Sequence, residues 1–140
     1  MLALADRART PAAKRPTLQE MSVHELAQRF EDAATREFAA RFVAVEPTDM
    51  TLHNRIAGEV ADICRESKRR DKLSTLLPFL DSSIITTRAQ AARTTITIAP
   101  ERASEVLEGV RASKDYYEQL RAAESLERWR AGKTIIFGVG

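Results

Sequence analysis

The sequence predicts an all-α fold of about three antiparallel helical hairpins, and three observations lead there. Glycine and proline number five each, too few for the many tight turns of an all-β protein. Ala, Arg, Glu and Leu dominate, and these are good helix formers. From Val23 onward, apolar residues recur at spacings of three and four over several turns, the mark of an amphipathic helix. With 44% hydrophobic and 30% charged residues, the 140-residue chain has the composition of a folded globule rather than a disordered segment. A chain of this size buries about 68% of its unfolded surface, enough for a core without covalent staples. Its one cysteine, Cys64, leaves no internal disulfide and no cysteine-cluster zinc site.

Residues 1–16 contain Pro11 and Pro16 and no helical repeat, and they read as a flexible N-terminal arm. The helical domain is expected over residues 17–133. Ser22-Val23-His24-Glu25 is a capping box, with the hydroxyl taking a free amide and Glu25 reaching back. The first helix then carries Leu26, Phe30, Ala33, Ala34, Phe38 and Phe42 on its inner stripe, until Glu46-Pro47 ends it. Thr48 or Asp49 caps a second helix, with Leu52, Ile56, Val60, Ile63 and Cys64 facing inward. Gly58 inside it costs ~1 kcal/mol against alanine, which a close helix crossing would explain. Leu73, Leu76, Leu77 and Leu80 form a short third helix around Pro78.

The fourth helix, Ile85 to Ala99, is the hardest to assign. Thr94-Thr95-Ile96-Thr97-Ile98 is β-branched and partly alternates like a strand. Ala89, Ala92, Ile96 and Ala99 keep the helical spacing and decide for helix. Pro100-Glu101 suits the first turn of a fifth helix, with proline at the first position and an acid at the positive end. Ser113 starts a sixth, holding Tyr116, Tyr117, Leu120, Ala123, Leu126 and Trp129, and Gly132 stops it. Residues 134–140 are an apolar tail without helical period. Phe30, Ile56, Leu77, Ala92 and Leu107 are the expected core.

Net charge is +2. Arg7, Arg9, Lys14 and Arg15 against Asp6 and Glu20 supply that surplus within the first 21 residues, so the remainder is neutral. A neutral body speaks against a dedicated nucleic-acid surface. No run of about 18 apolar residues exists to span a membrane. Asp6 and Arg7 interrupt any secretory signal, and the cytoplasm is the expected compartment.

Leu76-Leu77-Pro78-Phe79-Leu80-Asp81, followed by Arg88, Ala91-Ala92 and Ile96, resembles the HEAT-repeat pattern. There a leucine-rich helix ends near an aspartate, and the next carries an arginine and paired small residues. Thr87 stands where a branched aliphatic is common, and Ser82-Ser83 where the turn often holds proline. The continuation Ala99-Pro100-Glu101-Arg102-Ala103, with Val106-Leu107, is similar to an uncharacterised bacterial family of small HEAT-like domains. The resemblance covers about residues 20–135. It implies a HEAT/ARM-like right-handed stack of hairpins, with Asp81 and Arg88 paired locally or through the turn amides. It transfers no catalytic residue.

Candidate chemistry is sparse. His24-Glu25 opens like a zinc-protease motif, but Gln28 stands where the second histidine belongs, so no metal or cofactor is expected. Cys64 has a basic run after it, Arg65 to Lys72, that would lower a thiol pKa if the thiol were exposed. No phosphate loop and no nucleophile elbow is present, and no enzymatic activity or catalytic residue is expected. The aromatic and arginine excess of the last helix points instead to protein binding. The expected contacts are Tyr116, Tyr117, Arg121, Arg128 and Trp129, with His53 and Arg55 lining the same groove. The concrete expectation is a bacterial immunity or inhibitor-type protein that occludes a cognate toxin or enzyme. A HEAT-like nucleic-acid-binding module is the alternative.

Overall fold

The computed structural model describes residues 16–42 and 51–133. The arm before Pro16, the expected Glu46-Pro47 stop, the Thr48 or Asp49 cap and the tail after Lys133 lie outside the described residues; the first helix itself ends earlier than expected, at Ala40, with Arg41 as its cap. Those described are helical and include no strand. Helix α1 spans Val23–Ala40, α2 Thr51–Arg69, α3 Ile85–Thr95, α4 Pro100–Arg111 and α5 Tyr116–Arg130. Two stretches are 3₁₀, Leu18–Glu20 and Leu73–Asp81.

Local chemistry sets these boundaries. Ser22 Oγ accepts from Glu25 N at 3.1 Å while Ser22 N donates to Glu25 Oε1 at 3.1 Å, closing the capping box at α1. At the end of α2, Asp71 takes a left-handed conformation, φ +56°, and the Lys72 amide reaches back to Ser67 O at 2.9 Å. Aspartate tolerates that region better than most residues with a side chain. Pro100 opens α4, and Gly132 leaves α5 at φ +72°. The cap of α5 is Asp115, whose carboxylate accepts from Glu118 N, rather than Ser113.

Three departures from the sequence reading matter. The leucine-rich segment is a 3₁₀ helix, so its buried residues are Leu73, Leu76 and Leu80, and Leu77 is only half-buried. Pro78 has no amide to donate, which removes an α-type bond there. Helix α3 ends at Thr95 and the chain turns over Ile96 to Ile98. Gly58 makes no close crossing: a Cβ built there meets nothing within 4 Å. It lines an open groove of about 670 Å³ with Arg29, Arg55 and Arg65.

Helix α3 is the hub. It packs against the leucine-rich 3₁₀ helix and against α1, α4 and α5, while α1 pairs with α2 and α4 with α5. Nine of its eleven residues are buried. Phe30, Val60, Ile63, Leu76, Leu80, Leu107, Val110 and Leu126 form one continuous apolar core with Ala89, Ala91 and Ala92 of this helix and Ile96 at its C-cap. Alanines on α3 let its neighbours approach closely, which is how a short helix touches four others. Expected core residues Phe30, Ile56, Ala92 and Leu107 are all buried.

Candidate functional site

The inner stripe of α1 does not follow the aromatics. Below Ala34 it turns to Glu37 and Ala40, leaving Phe42 exposed. On α2 it takes His53 rather than Leu52, which is exposed. On α3, residues 86, 90 and 93 lie on one side at spacings of four and three, bringing Thr86, Gln90 and Arg93 together. Helix α5 adds Glu118 and Arg121 at a spacing of three. All of these are buried. The result is a polar cluster inside the helical stack, where α1, α2, α3 and α5 meet.

Glu37 is its centre. Its Oε1 accepts from Gln90 Nε2 at 2.8 Å, and its Oε2 accepts from Arg121 Nη1 at 2.9 Å. His53 Nε2 lies 3.4 Å from the same Oε2. Burial works to raise this carboxyl, but His53, Arg121 and Gln90 outweigh it and hold the group below the ordinary carboxylate value. Glu118 Oε2 accepts from Thr86 Oγ1 at 2.5 Å, and its Oε1 stands 4.0 Å from Arg121 Nη1. Arg93 differs from the rest: it is 2% exposed, and none of its three guanidinium nitrogens has a hydrogen-bond partner. Burial, then the Arg121 charge, pushes its pKa down to about 10, so it remains a cation at neutral pH.

Tyr117 covers the cluster. Its half-buried ring meets His53 edge-on, centroids 5.1 Å apart, and the Arg121 guanidinium carbon stands 5.2 Å from the ring centre. Arg41 faces the ring at 5.1 Å and clasps Asp115 with two bonds, 2.9 and 2.8 Å, tying the end of α1 to the cap of α5. Arg41 is the first cause that holds the Asp115 carboxyl below its usual range.

The residues expected to line one partner groove therefore divide. Arg121 and His53 are inside, with Tyr117 across them. Tyr116 is 72% exposed, and Leu120, one turn on, is 56% exposed. Arg128 and Trp129 are half-buried, and Trp129 packs against the core. Arg55 is exposed and belongs to the groove beside Arg29 and Gly58, so it does not share His53's surroundings. The cause is register: His53 and Arg55 stand two residues apart on α2, a spacing at which side chains face different sides of a helix.

Asp81 and Arg88 are not partners of each other here. Arg88 Nη1 donates to Ser82 O at 2.8 Å, bracing the turn, and Asp81 takes Arg102 at 2.6 Å. The aspartate thus reaches forward to α4 instead of onto α3. Cys64 is buried and within 3.1 Å of Thr94 Oγ1. Burial pushes its thiol up to about 12, so the basic run after it produces no thiolate at neutral pH. Much of that run is spent internally: Arg65 pairs with Asp62, and Arg69 and Arg70 pair with Glu66, whose carboxyl they hold at about 2. Arg70 also donates to the carbonyls of Leu18, Gln19 and Met21, fastening the first 3₁₀ turn to α2. No group of three His, Cys, Asp or Glu side chains is arranged to hold a metal among the described residues, and no described helix is long and apolar enough to cross a membrane.

Fold and cluster together define a small all-helical domain with a buried charged centre. The chain belongs to the family whose description is Domain of unknown function (DUF2019), whose model matches residues 17–128. It is also similar to the crystal structure of the protein RPA1889 from Rhodopseudomonas palustris CGA009. That likeness has a TM-score of 0.73 and 27% sequence identity, over 84% of this chain and 96% of that one. No curated protein matches the chain.

Proposed function

We propose that this protein is a non-enzymatic, cytoplasmic protein-binding module, a HEAT-like right-handed stack that meets its partner through the outer face of α5. The observation that carries the reading is the pair Tyr116 and Leu120, both large, both exposed and one turn apart on α5. Tyrosine is among the residues most enriched where binding energy concentrates. The buried cluster beneath holds α5 at fixed depth through Arg121 and Glu118, which presents that face as a rigid platform. Succession of paired helices around α3 supports the stacked architecture. In its most concrete form the partner is a toxin or enzyme that this domain occludes, as a bacterial immunity-type protein does.

The test pairs capture with measurement. Tagged protein is used to retrieve partners from the native cell, and the retrieved protein is then purified and titrated against the parent and a Tyr116→Ala, Leu120→Ala variant. A loss of about 2 kcal/mol in binding with thermal stability unchanged supports the reading. Equal binding by parent and variant rejects this face. If no protein is bound and duplex DNA is retarded at submicromolar concentration with steep salt dependence, the nucleic-acid module replaces it. The internal pairing of Arg65, Arg69 and Arg70 leans against that outcome.

A further inference from the structure

A glycine inside a helix weakens it, and no neighbour within the protein calls for Gly58, since a Cβ there meets nothing within 4 Å. The space beside it is the groove of about 670 Å³, walled by α2, by Arg29 of α1 and by the first 3₁₀ turn. Two smaller cavities adjoin this groove. One of about 380 Å³ shares Pro16, Met21 and Arg29 with it, and one of about 330 Å³ shares Leu18, Asp62 and Arg65. Together they make a trough rather than a pit. Leu18 and Met21 give it an apolar wall packed on the core behind, and the bonds from Arg70 to their carbonyls fix that wall in place. The acids lining the trough are all committed. Glu25 closes the capping box with Ser22, and Asp32 holds Arg36. Glu59 holds both Arg29 and Arg36, Asp62 holds Arg65, and Glu66 holds Arg69 and Arg70. Arg55 is the uncommitted charge: it lines the main groove, is exposed, and has no hydrogen bond or ion pair among the described residues.

We propose that this trough binds an acidic peptide segment of a partner protein, with a carboxylate side chain on the Arg55 guanidinium and the peptide backbone passing close over Gly58. A guanidinium presents a planar fork that matches a carboxylate with two parallel bonds. A basic peptide would find no free acid here and would have to strip one from an arginine already holding it. The missing side chain at position 58 is what lets a second backbone approach α2. An apolar residue beside the acid rests on Leu18 and Met21, both half-buried and open to the trough. The length of the trough suits a chain rather than a compact solute. Charge sets aside this chain's own arm as the occupant: before Pro16 it carries Arg7, Arg9, Lys14 and Arg15 against Asp6, the wrong sign for Arg55. The trough shares no residue with the outer face of α5, so it goes beyond that reading and stands or falls separately.

Three pools of random hexapeptides, capped at both ends and carrying a fixed central glutamate, glutamine or lysine, are passed over the immobilised full chain. Retained peptides are sequenced by mass spectrometry, resynthesised and titrated by fluorescence anisotropy. The glutamate pool should be retained above the other two, and its best peptide should lose at least about tenfold in affinity on Arg55→Gln. Gly58→Leu fills the trough and should cost as much, while its thermal midpoint holds or rises because leucine is the better helix former. Arg111→Gln, an exposed arginine on α4, should bind like the parent. Equal retention of the glutamate and glutamine pools, or binding indifferent to Arg55→Gln, overturns the acidic ligand. Binding indifferent to Gly58→Leu overturns the trough as its seat. Retention of no pool overturns the proposal. Sedimentation of the peptide-free chain covers the remaining occupant: self-association that Arg55→Glu abolishes would seat a second copy there and overturn a separate partner.

Discussion

The two sides of α3 solve the same packing problem with opposite chemistry. One side carries Ala89, Ala92 and Ile96, all fully buried in the apolar core. The other carries Thr86, Gln90, Arg93 and Thr94, equally buried, against Glu37, Cys64, Glu118 and Arg121. The apolar side tolerates any arrangement that fills space without collision. The polar side is satisfied only when each donor meets a particular oxygen at a particular distance. The first gives cohesion. The second gives a single admissible register of α1, α3 and α5, and it is the side where the bonding is incomplete.

The contrast is most sharply broken at Glu37. Glu37→Ala strands Arg121 and Gln90 without their acceptor, and chemical denaturation should show a loss of about 3–5 kcal/mol. Acid tests the same group without mutation. Because its carboxyl is held below the ordinary value, its contribution is complete above the unfolded pKa of about 4.3 and is lost as pH falls through the folded one. Stability of the parent should therefore fall below that pH more steeply than that of Glu37→Gln; parallel curves would remove Glu37 from the polar side's account. On the apolar side, Ala92→Leu forces extra volume into a full interface and should cost about 1–3 kcal/mol by thermal unfolding. A neutral result there would mean the alanine side is loose. Thr94→Val removes the hydroxyl that donates to Gln90 O and lies beside the Cys64 thiol, for about 1 kcal/mol. Smallest of all is Arg93→Met. An unpartnered buried cation loses no bond when replaced by an apolar chain of similar length, so the midpoint in plain buffer should hold or rise. A large drop would show that Arg93 is already paid for within the protein.

Much of one side was legible beforehand and little of the other. Ser22 and Glu25, Pro100 and Gly132 declare helix ends by local chemistry, since each acts within a few residues of itself. Ala89, Ala92 and Ile96 show their burial by spacing alone. The polar cluster shows in no window, because Glu37, His53, Arg93 and Arg121 come from four helices far apart in sequence. Each taken singly is a charged or polar residue at helical spacing, the ordinary signature of a solvated face. A signal did exist in α3: from Ile85 to Ile96 the sequence has no acidic residue and only Arg88 and Arg93 as charges. A helix with no proper solvated face lies in the interior, and Arg93, in its second half, is buried with it, while Arg88 near its start stays partly exposed. The leucine-rich segment was misjudged for a different reason. A 3₁₀ turn advances about 3.0 residues rather than 3.6, and the inward set shifts by one position, from Leu77 to Leu76.

Cys64 gains a use from its position rather than its reactivity. The chain has one thiol, and it lies at the seam between α2 and the polar side of α3. No alkylating reagent reaches that sulfur while the seam is shut. The rate of labelling is therefore a built-in gauge of how often these two helices part, read at a single atom and without any engineered tag.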